Sequence, residues 1–272
     1  MKKTKRKAII MAGILGIFLL LVPAGAHFAP NDPYKTNLSV VHQPPSVEYP
    51  CGTDNLGRCI YSRILEGAAR SVYSAVLIVG IVFVVGTVLG LLAGYMGGVV
   101  DQVIMKITMM FQAFPSFIFA VAMAGILGPG LKNSMLALSV MFWTTYARLG
   151  RGMVLQMKHA PYVQAAKLCG AKTPQILVHH IFPNILAPLL VTATLDVGNV
   201  ILSMAGMSFL GLGVQPPMAE WGIMISNSKA FMQTAPWGIF FPSLALFTAV
   251  FLFNMTGDSI RDALDLGGEG GL

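Results

Sequence analysis

Charged side chains are scarce in this sequence. Asp, Glu, Lys and Arg make up only 11% of the 272 residues, whereas 55% are hydrophobic. A soluble domain carries a charge on about a quarter of its residues, so this composition excludes a single soluble globular domain. It predicts a membrane protein that crosses the bilayer several times.

Cysteine is also rare. No pair among Cys51, Cys59 and Cys169 has zinc-ligand spacing with histidines. Cys51 and Cys59 share one polar segment, where they either form a disulfide or remain free thiols. His179 and His180 are adjacent and do not share a helix face, and most of the 17 methionines suit packing or lipid contact. We therefore predict no metal site.

Nucleotide-binding and catalytic motifs are missing as well. The sequence has no Gly-x-x-x-x-Gly-Lys-Ser/Thr loop, so it cannot bind ATP by that route. It also has no cluster of ionisable residues at membrane depth, which a membrane-embedded enzyme requires. We assign no catalytic residue and no cofactor to this chain, and an ATP-driven role needs a partner that binds the nucleotide.

Six apolar segments are near the roughly 20 residues that a helix needs to cross a bilayer, which predicts an all-α fold of about six transmembrane helices. Their approximate bounds are 8–26, 71–95, 103–127, 134–149, 184–206 and 237–257. The third to fifth are interrupted by glycine, proline or polar residues, as is common where helices pack together. The first segment, which ends in Ala24-Gly25-Ala26, also has the features of a cleavable signal peptide.

The net charge of +7 has a topological explanation. Twelve of the eighteen Lys and Arg residues fall in segments that are inside if the N-terminus is inside, and five of them precede the first apolar run. This bias agrees with the positive-inside rule and predicts two cytoplasmic termini. No basic face with interleaved aromatics indicates nucleic-acid binding.

Residues 160–183 form a polar, basic island between apolar segments, on the predicted cytoplasmic side. Ala165 and Ala166 favour a helix, and Gly170 stands where a C′ glycine would end it. Thr173 and Pro174 are the expected N-cap and first-turn proline of a second helix. This pattern predicts a helix–turn–helix that grips a soluble partner.

The order Ala165-Ala166, Gly170 and Pro183 resembles the cytoplasmic EAA loop of bacterial ABC importer permeases. Other motifs are similar to those of the second permease of dipeptide, oligopeptide and nickel ABC importers, and the resemblance covers about residues 8–265. These motifs are Gly52-Thr53-Asp54-Asn55-Leu56-Gly57-Arg58 with Ser62-Arg63, Met207-Ser208-Phe209-Leu210-Gly211-Leu212-Gly213-Val214, Pro216-Pro217, Glu220-Trp221-Gly222, Asn254, and Gly257-Asp258-Ser259-Ile260-Arg261-Asp262.

The resemblance implies a type I ABC importer permease fold in the bacterial cell membrane, with the first span retained. It implies four kinds of contact: a second permease, two ATPase subunits that bind ATP, an extracytoplasmic binding protein and the lipid bilayer. In this family the loop docks on the ATPase. The residues carried over for that coupling are Gln164, Ala165, Ala166, Lys167, Gly170, Ala171, Lys172 and Pro183.

Three positions depart from the family pattern. Gln164 stands where an acidic residue is common, which argues against a carboxylate contact with the ATPase there. Cys59 replaces an aspartate, and the chain ends soon after Asp265 without the usual basic extension.

Asp196 is the only acidic residue deep inside a predicted span. Such a carboxylate is expensive and often functional, so it either faces the substrate pathway, with Met204 and Met207 near it, or bonds a neighbouring helix. The turn from Asp54 to Arg58 likewise has two interpretations. It contacts a binding protein, or it is a capped turn that opens the next helix.

The expected organisation is an N-terminus with the first helix (1–26), an extracytoplasmic segment (27–70), a permease core (71–265) with its coupling loop (160–183), and a tail (266–272). The motifs around residues 193–198 and 220–222 favour nickel or a nickel chelate as cargo, with short peptides as the alternative. A secondary transporter driven by ion gradients is the alternative of another class, but it predicts inverted repeats and paired charges that we do not find.

Overall fold

The computed structural model describes residues 2–268, with the side chains of residues 4–264. All regular structure in this part of the chain is helical, which confirms the predicted all-α fold. The predicted tail lies outside the described residues from position 269 onward. The helices are α1 (Lys2–Ala24), α2 (Ile60–Met96), α3 (Gly98–Gln112), α4 (Ser116–Leu127), α5 (Leu131–Met157), α6 (Pro161–Leu168), α7 (Thr173–Gln175), α8 (Phe182–Phe209), α9 (Trp221–Ser228) and α10 (Trp237–Gly268).

Several of these helices are long and apolar enough to cross a membrane. Four stretches qualify by length and composition among the described residues, and α3 with α4 adds a fifth if this pair, bent by 84°, is one span. The four stretches are Thr4–Phe28, Ile60–Met96, Thr173–Phe209 and Trp237–Leu264. A multi-pass membrane protein is therefore confirmed.

The predicted span at 134–149 lies in α5, which does not qualify by composition. This helix has 27 residues, but polar and charged residues near its ends, such as Lys132 and Arg148, lower its hydropathy. It packs most extensively against α2, and also against α3, α4 and α8. Because neighbouring helices enclose it, α5 needs little lipid-facing apolar surface.

The contact between α2 and α5 is a contact between backbones. Gly86, Gly90 and Gly94 recur every four residues on one face of α2. A Cβ at Gly90 would lie 2.5 Å from the Ala147 carbonyl oxygen, and one at Gly94 would lie 2.9 Å from that of Arg151. Small residues at this spacing let membrane helices approach closely.

The outer part of α2 begins eleven residues before the predicted span. This extension is polar, which is why hydropathy alone missed it, but its Arg63 side chain is buried. Arg63 donates to the carbonyl oxygens of Pro33 at 2.9 Å and Pro217 at 3.4 Å. The segment between α1 and α2 and the loop before α9 are thereby folded onto the first turns of α2.

The charged side chains of the Asp54–Arg58 turn bond to the turn itself and are buried. Asp54 accepts from the backbone N–H of Leu56 and Arg58 and, at 2.7 Å, from the Arg58 guanidinium. Both side chains are buried, at 8% and 4% exposure. The structure therefore favours the capped turn over a direct contact of these side chains with a binding protein.

The two cysteines beside this turn are buried free thiols. Burial, and next the nearby Cys59, raise the pKa of Cys51 to about 11. Because the thiolate is the reactive form, Cys51 is unreactive at neutral pH in this state.

The short helix α9 is fastened to α2 and α8. Glu220, almost fully buried, caps α9 by accepting from the N–H groups of Gly222 and Ile223, and burial raises the pKa of its carboxyl group. The Trp221 indole donates to the Ile64 carbonyl at 3.0 Å. A Cβ on Gly222 would lie 2.5 Å from the Ala205 carbonyl oxygen, so α9 also lies directly against the outer end of α8.

We predict that Gly90→Ala lowers the free energy of unfolding by about 1–3 kcal/mol, because the added methyl group overpacks the α2–α5 contact. Gly80→Ala is the matched control on the same helix, since nothing lies within 4 Å of its added Cβ. Thermal unfolding of the purified protein in detergent measures both. Equal midpoints for the two variants would contradict the close helix contact.

Candidate functional site

Residues 160–183, hereafter the bracket, connect α5 to α8. The bracket consists of α6, a tight turn at Gly170, α7, and a π-helical segment, Ile176–Ile181, that continues into α8. The predicted helix–turn–helix is therefore present. Pro161 occupies the first turn of α6, where its fixed φ and missing N–H are tolerated.

The end of α6 is a Schellman motif, as the glycine predicted. Gly170 has φ +84°, a left-handed conformation that glycine adopts without strain. Its N–H donates to the Lys167 carbonyl, and the Ala171 N–H donates to that of Ala166, both at 3.0 Å. These two bonds satisfy carbonyls that a helix end leaves without partners.

The start of α7 differs from the prediction by one residue. The N-cap is Lys172, whereas Thr173 and Pro174 are already helical. The Gln175 side chain accepts from the Lys172 backbone N–H at 2.9 Å, which is one half of a capping box. Predicting Thr173 as the N-cap was therefore wrong, because this glutamine rather than a threonine hydroxyl closes the turn.

The π-helical segment lies directly before Pro183. In a regular α-helix the proline ring clashes with the carbonyl group four residues earlier, which here belongs to His179. A wider π turn at this point relieves that crowding, and such turns are frequent at functional positions. The helix therefore stays continuous from the bracket into α8.

One face of α6 is anchored in the protein and the other is free in this chain. Val163 is fully buried in the core cluster that also contains Ile176 and Ile181. On the other side Leu168 is 89% exposed. A leucine so exposed at the tip of a short helix is suited to contact with another protein.

Sequence reasoning missed Leu168. The available signal was its spacing of five residues from Val163, which places the two apolar side chains on different sides of the helix. If the first faces the core, the second faces outward.

Three basic side chains tie the bracket and the end of α5 to α2 and α3. The Lys167 ammonium lies 5.2 Å from the centre of the Tyr95 ring, a cation–π distance. Lys158 donates to the Gly94 carbonyl at 3.4 Å. Arg151 forms a two-pronged ion pair with Asp101, with one contact of 2.6 Å. Sequence reasoning missed Tyr95 and Asp101 as partners.

The remaining coupling residues lie on the outside of the bracket or at its joints. Gln164 donates its side-chain N–H to the Lys158 carbonyl at 3.1 Å, a bond that an ionised carboxylate at this position could not make. Exposed positions are Ala165, Lys172 and Pro183, whereas Ala166 and Ala171 are half-buried.

Asp196 lies at the midpoint of α8 and is half-buried. Its carboxylate accepts from the Tyr146 hydroxyl of α5 at 2.8 Å and from the Asn199 amide at 3.4 Å. Met204 and Met207, in contrast, are fully buried in the core. The structure does not bring these methionines to a common exposed surface with Asp196, because α9 and the loop before it pack against the outer end of α8.

Comparison with known proteins agrees with this architecture. The family described as "Binding-protein-dependent transport system inner membrane component" matches residues 86–267. The dipeptide transport system permease protein DppC of Alkalihalophilus pseudofirmus is 41% identical, covering 97% of this chain and 88% of the relative. The nickel transport system permease protein NikC of Escherichia coli K12 is 39% identical, covering 93% and 91%.

A solved structure shares the fold. In the inward-facing MetNI methionine ABC transporter, one chain superposes with a TM-score of 0.61 at 19% identity, covering 74% of this chain and 95% of that one. This likeness supports the type I importer permease fold expected from the motifs.

We predict that Gly170→Ala weakens the turn after α6 by about 1 kcal/mol, since a Cβ disfavours φ +84° although nothing obstructs it. Amide hydrogen exchange in residues 165–175 should become about fivefold faster. Gly152→Ala, in the regular helix α5 with open space around its added Cβ, is the control and should not change exchange in the bracket. Unaltered exchange in Gly170→Ala would show that the turn does not depend on the left-handed glycine.

Proposed function

The chain belongs to the family of binding-protein-dependent transport system inner membrane components, as a permease subunit of an ABC importer, and we propose that its bracket couples an ATPase to transport. The observation that carries this proposal is the bracket itself, a rigid two-helix unit with an exposed leucine at its tip and buried anchors behind it. Non-catalytic itself, the chain acts together with an ATPase subunit that hydrolyses ATP.

In the proposed mechanism α6 sits in a groove of the ATPase, with Leu168 as the apolar anchor. Closure of two ATPase subunits around ATP displaces α6. The contacts of Lys167 with Tyr95 and of Lys158 with Gly94 carry that displacement to α2, and the π-helical segment carries it to α8. Coupling results because the ATPase binds the two conformations with different free energies.

The proposed assembly contains this chain, a second permease, two ATPase subunits and an extracytoplasmic binding protein. The second permease would supply the other half of the translocation pathway. The excess of Lys and Arg in the segments that include both termini and the bracket favours a cytoplasmic position for all three.

The proposed cargo is nickel or a nickel chelate, with short peptides as the second candidate. Relatives named for nickel and for dipeptide transport are similarly related to this chain, at 39% and 41% identity. The motifs at residues 193–198 and 220–222 are the reason to place nickel first.

Accumulation of radioactive nickel at nanomolar supply, in cells with and without this gene, tests the cargo. A loss that the intact gene restores is the expected result. Unchanged nickel accumulation together with loss of dipeptide uptake would replace nickel by the second candidate and leave the importer assignment intact.

We predict that Leu168→Ala weakens binding of the ATPase about tenfold, as expected for an apolar anchor at an interface. The substitution should leave the fold intact, because Leu168 contacts little of its own chain. Leu264→Ala, at another exposed leucine near the end of α10, is the control. The amount of ATPase that co-purifies with each of the two variants is measured at increasing salt concentrations. Equal retention of the ATPase by both variants would exclude Leu168 as the anchor.

A further inference from the structure

We propose that a row of oxygen acceptors on α8 binds the positively charged part of the cargo as it passes through the importer. The row consists of Thr192, Asp196, Asn199 and Ser203, hereafter the oxygen row. This inference rests on the proposed function, since it requires that the chain form half of a translocation pathway.

The spacing of the oxygen row places all four residues on one side of α8. Steps of four, three and four residues keep them within about 60° around a helix with 3.6 residues per turn. Asn199 is exposed and the other three are half-buried, so the other helices in the described part of the chain leave the row partly accessible. It extends about 16 Å along the axis at 1.5 Å per residue.

The hydrogen bonds of the row leave acceptors pointing away from the helix. The Thr192 hydroxyl donates to the Pro188 carbonyl at 3.1 Å, and the Ser203 hydroxyl donates to that of Asn199 at 2.8 Å. The Asn199 amide donates to Asp196. Since the two hydroxyl donors are used inside the helix, the hydroxyl oxygens keep lone pairs that can accept from an external donor or bind a cation.

Asp196 adds a charge that lacks a counter-charge. Among the described residues its partners are the Tyr146 hydroxyl and the Asn199 amide, and no Lys, Arg or His forms an ion pair with it. A carboxylate in a transmembrane helix is costly unless it is paired or lies at a water-filled cavity. In the proposed arrangement the row faces a water-filled pathway rather than lipid.

The length of the row favours a moving cation over a fixed partner residue. One lysine or arginine of the second permease would need only Asp196, whereas the acceptors continue for three turns. Conduction requires several sites of moderate strength, so that an ion enters and also leaves. A hydrated divalent metal ion and the ammonium group of a peptide share this chemistry.

Cysteine accessibility in the assembled importer tests the row independently of cargo. Asn199→Cys and Ser203→Cys are introduced singly into a chain carrying Cys169→Ser, because Cys169 is exposed and the other two cysteines are buried. Cationic and anionic methanethiosulfonate reagents are then compared. We expect both positions to react, the cationic reagent being favoured, and Asp196→Asn to reduce that preference about fivefold.

Thr194→Cys is the matched control on the same helix. Thr194 makes the same bond to the carbonyl four residues earlier, at 2.9 Å, but it lies about 200° around the helix from Thr192. Its reactivity should not depend on Asp196. Absence of reaction at 199 and 203, or a charge preference that Asp196→Asn does not change, would overturn the proposal.

Uptake into proteoliposomes that contain the whole importer and its binding protein identifies the cation. We expect Asp196→Asn and Thr192→Val to slow transport of either nickel or a dipeptide with a free amino terminus, by about tenfold for Asp196→Asn. Thr194→Val should transport as the unmodified chain does. Loss of the second permease on Asp196→Asn would instead make the carboxylate a subunit contact and refute the row, whereas failure to co-purify an ATPase would refute the proposed function.

Discussion

The close contact of α2 with α5 is the constraint on which the rest of the structure depends. At Gly86, Gly90 and Gly94 no side chain separates the two helices, so they approach more closely than larger residues would allow. Association of helices in lipid has little hydrophobic driving force, and close packing supplies much of it. This contact encloses α5, which is too polar to face lipid over its whole length, and it positions Tyr146 against Asp196 and Arg151 against Asp101.

The bracket is held in place by that pair of helices. It begins immediately after α5, and Lys167 and Lys158 fasten it to the last turn of α2. Behind Val163 the packed core reaches into the bracket itself. α6 is therefore held by packed side chains and side-chain contacts, and not only by its chain connections.

Much of this arrangement was predictable wherever a residue has one dominant physical role. Gly170 marked the left-handed turn, and the apolar runs marked the long helices. Prediction failed where distant contacts decide the outcome. The start of α2 was missed because it contains the buried Arg63. Hydrogen bonds to the carbonyls of Pro33 and Pro217, which are distant in the sequence, satisfy this side chain. Met204 and Met207 lie in the span where a pathway is expected, but α9, fourteen or more residues further along the chain, packs against that end of α8.

The attachment of α9 has a consequence for how α2 and α8 can move relative to each other. Gly222 lies against the Ala205 backbone, and Glu220 holds the start of the same short helix beside Ser71 of α2. At Gly222 no side chain separates α9 from the backbone of α8. Any movement of α2 away from α8 at this end must therefore either break the hydrogen bonds of Glu220 to Ser71 and of Trp221 to Ile64, or pull α9 off α8.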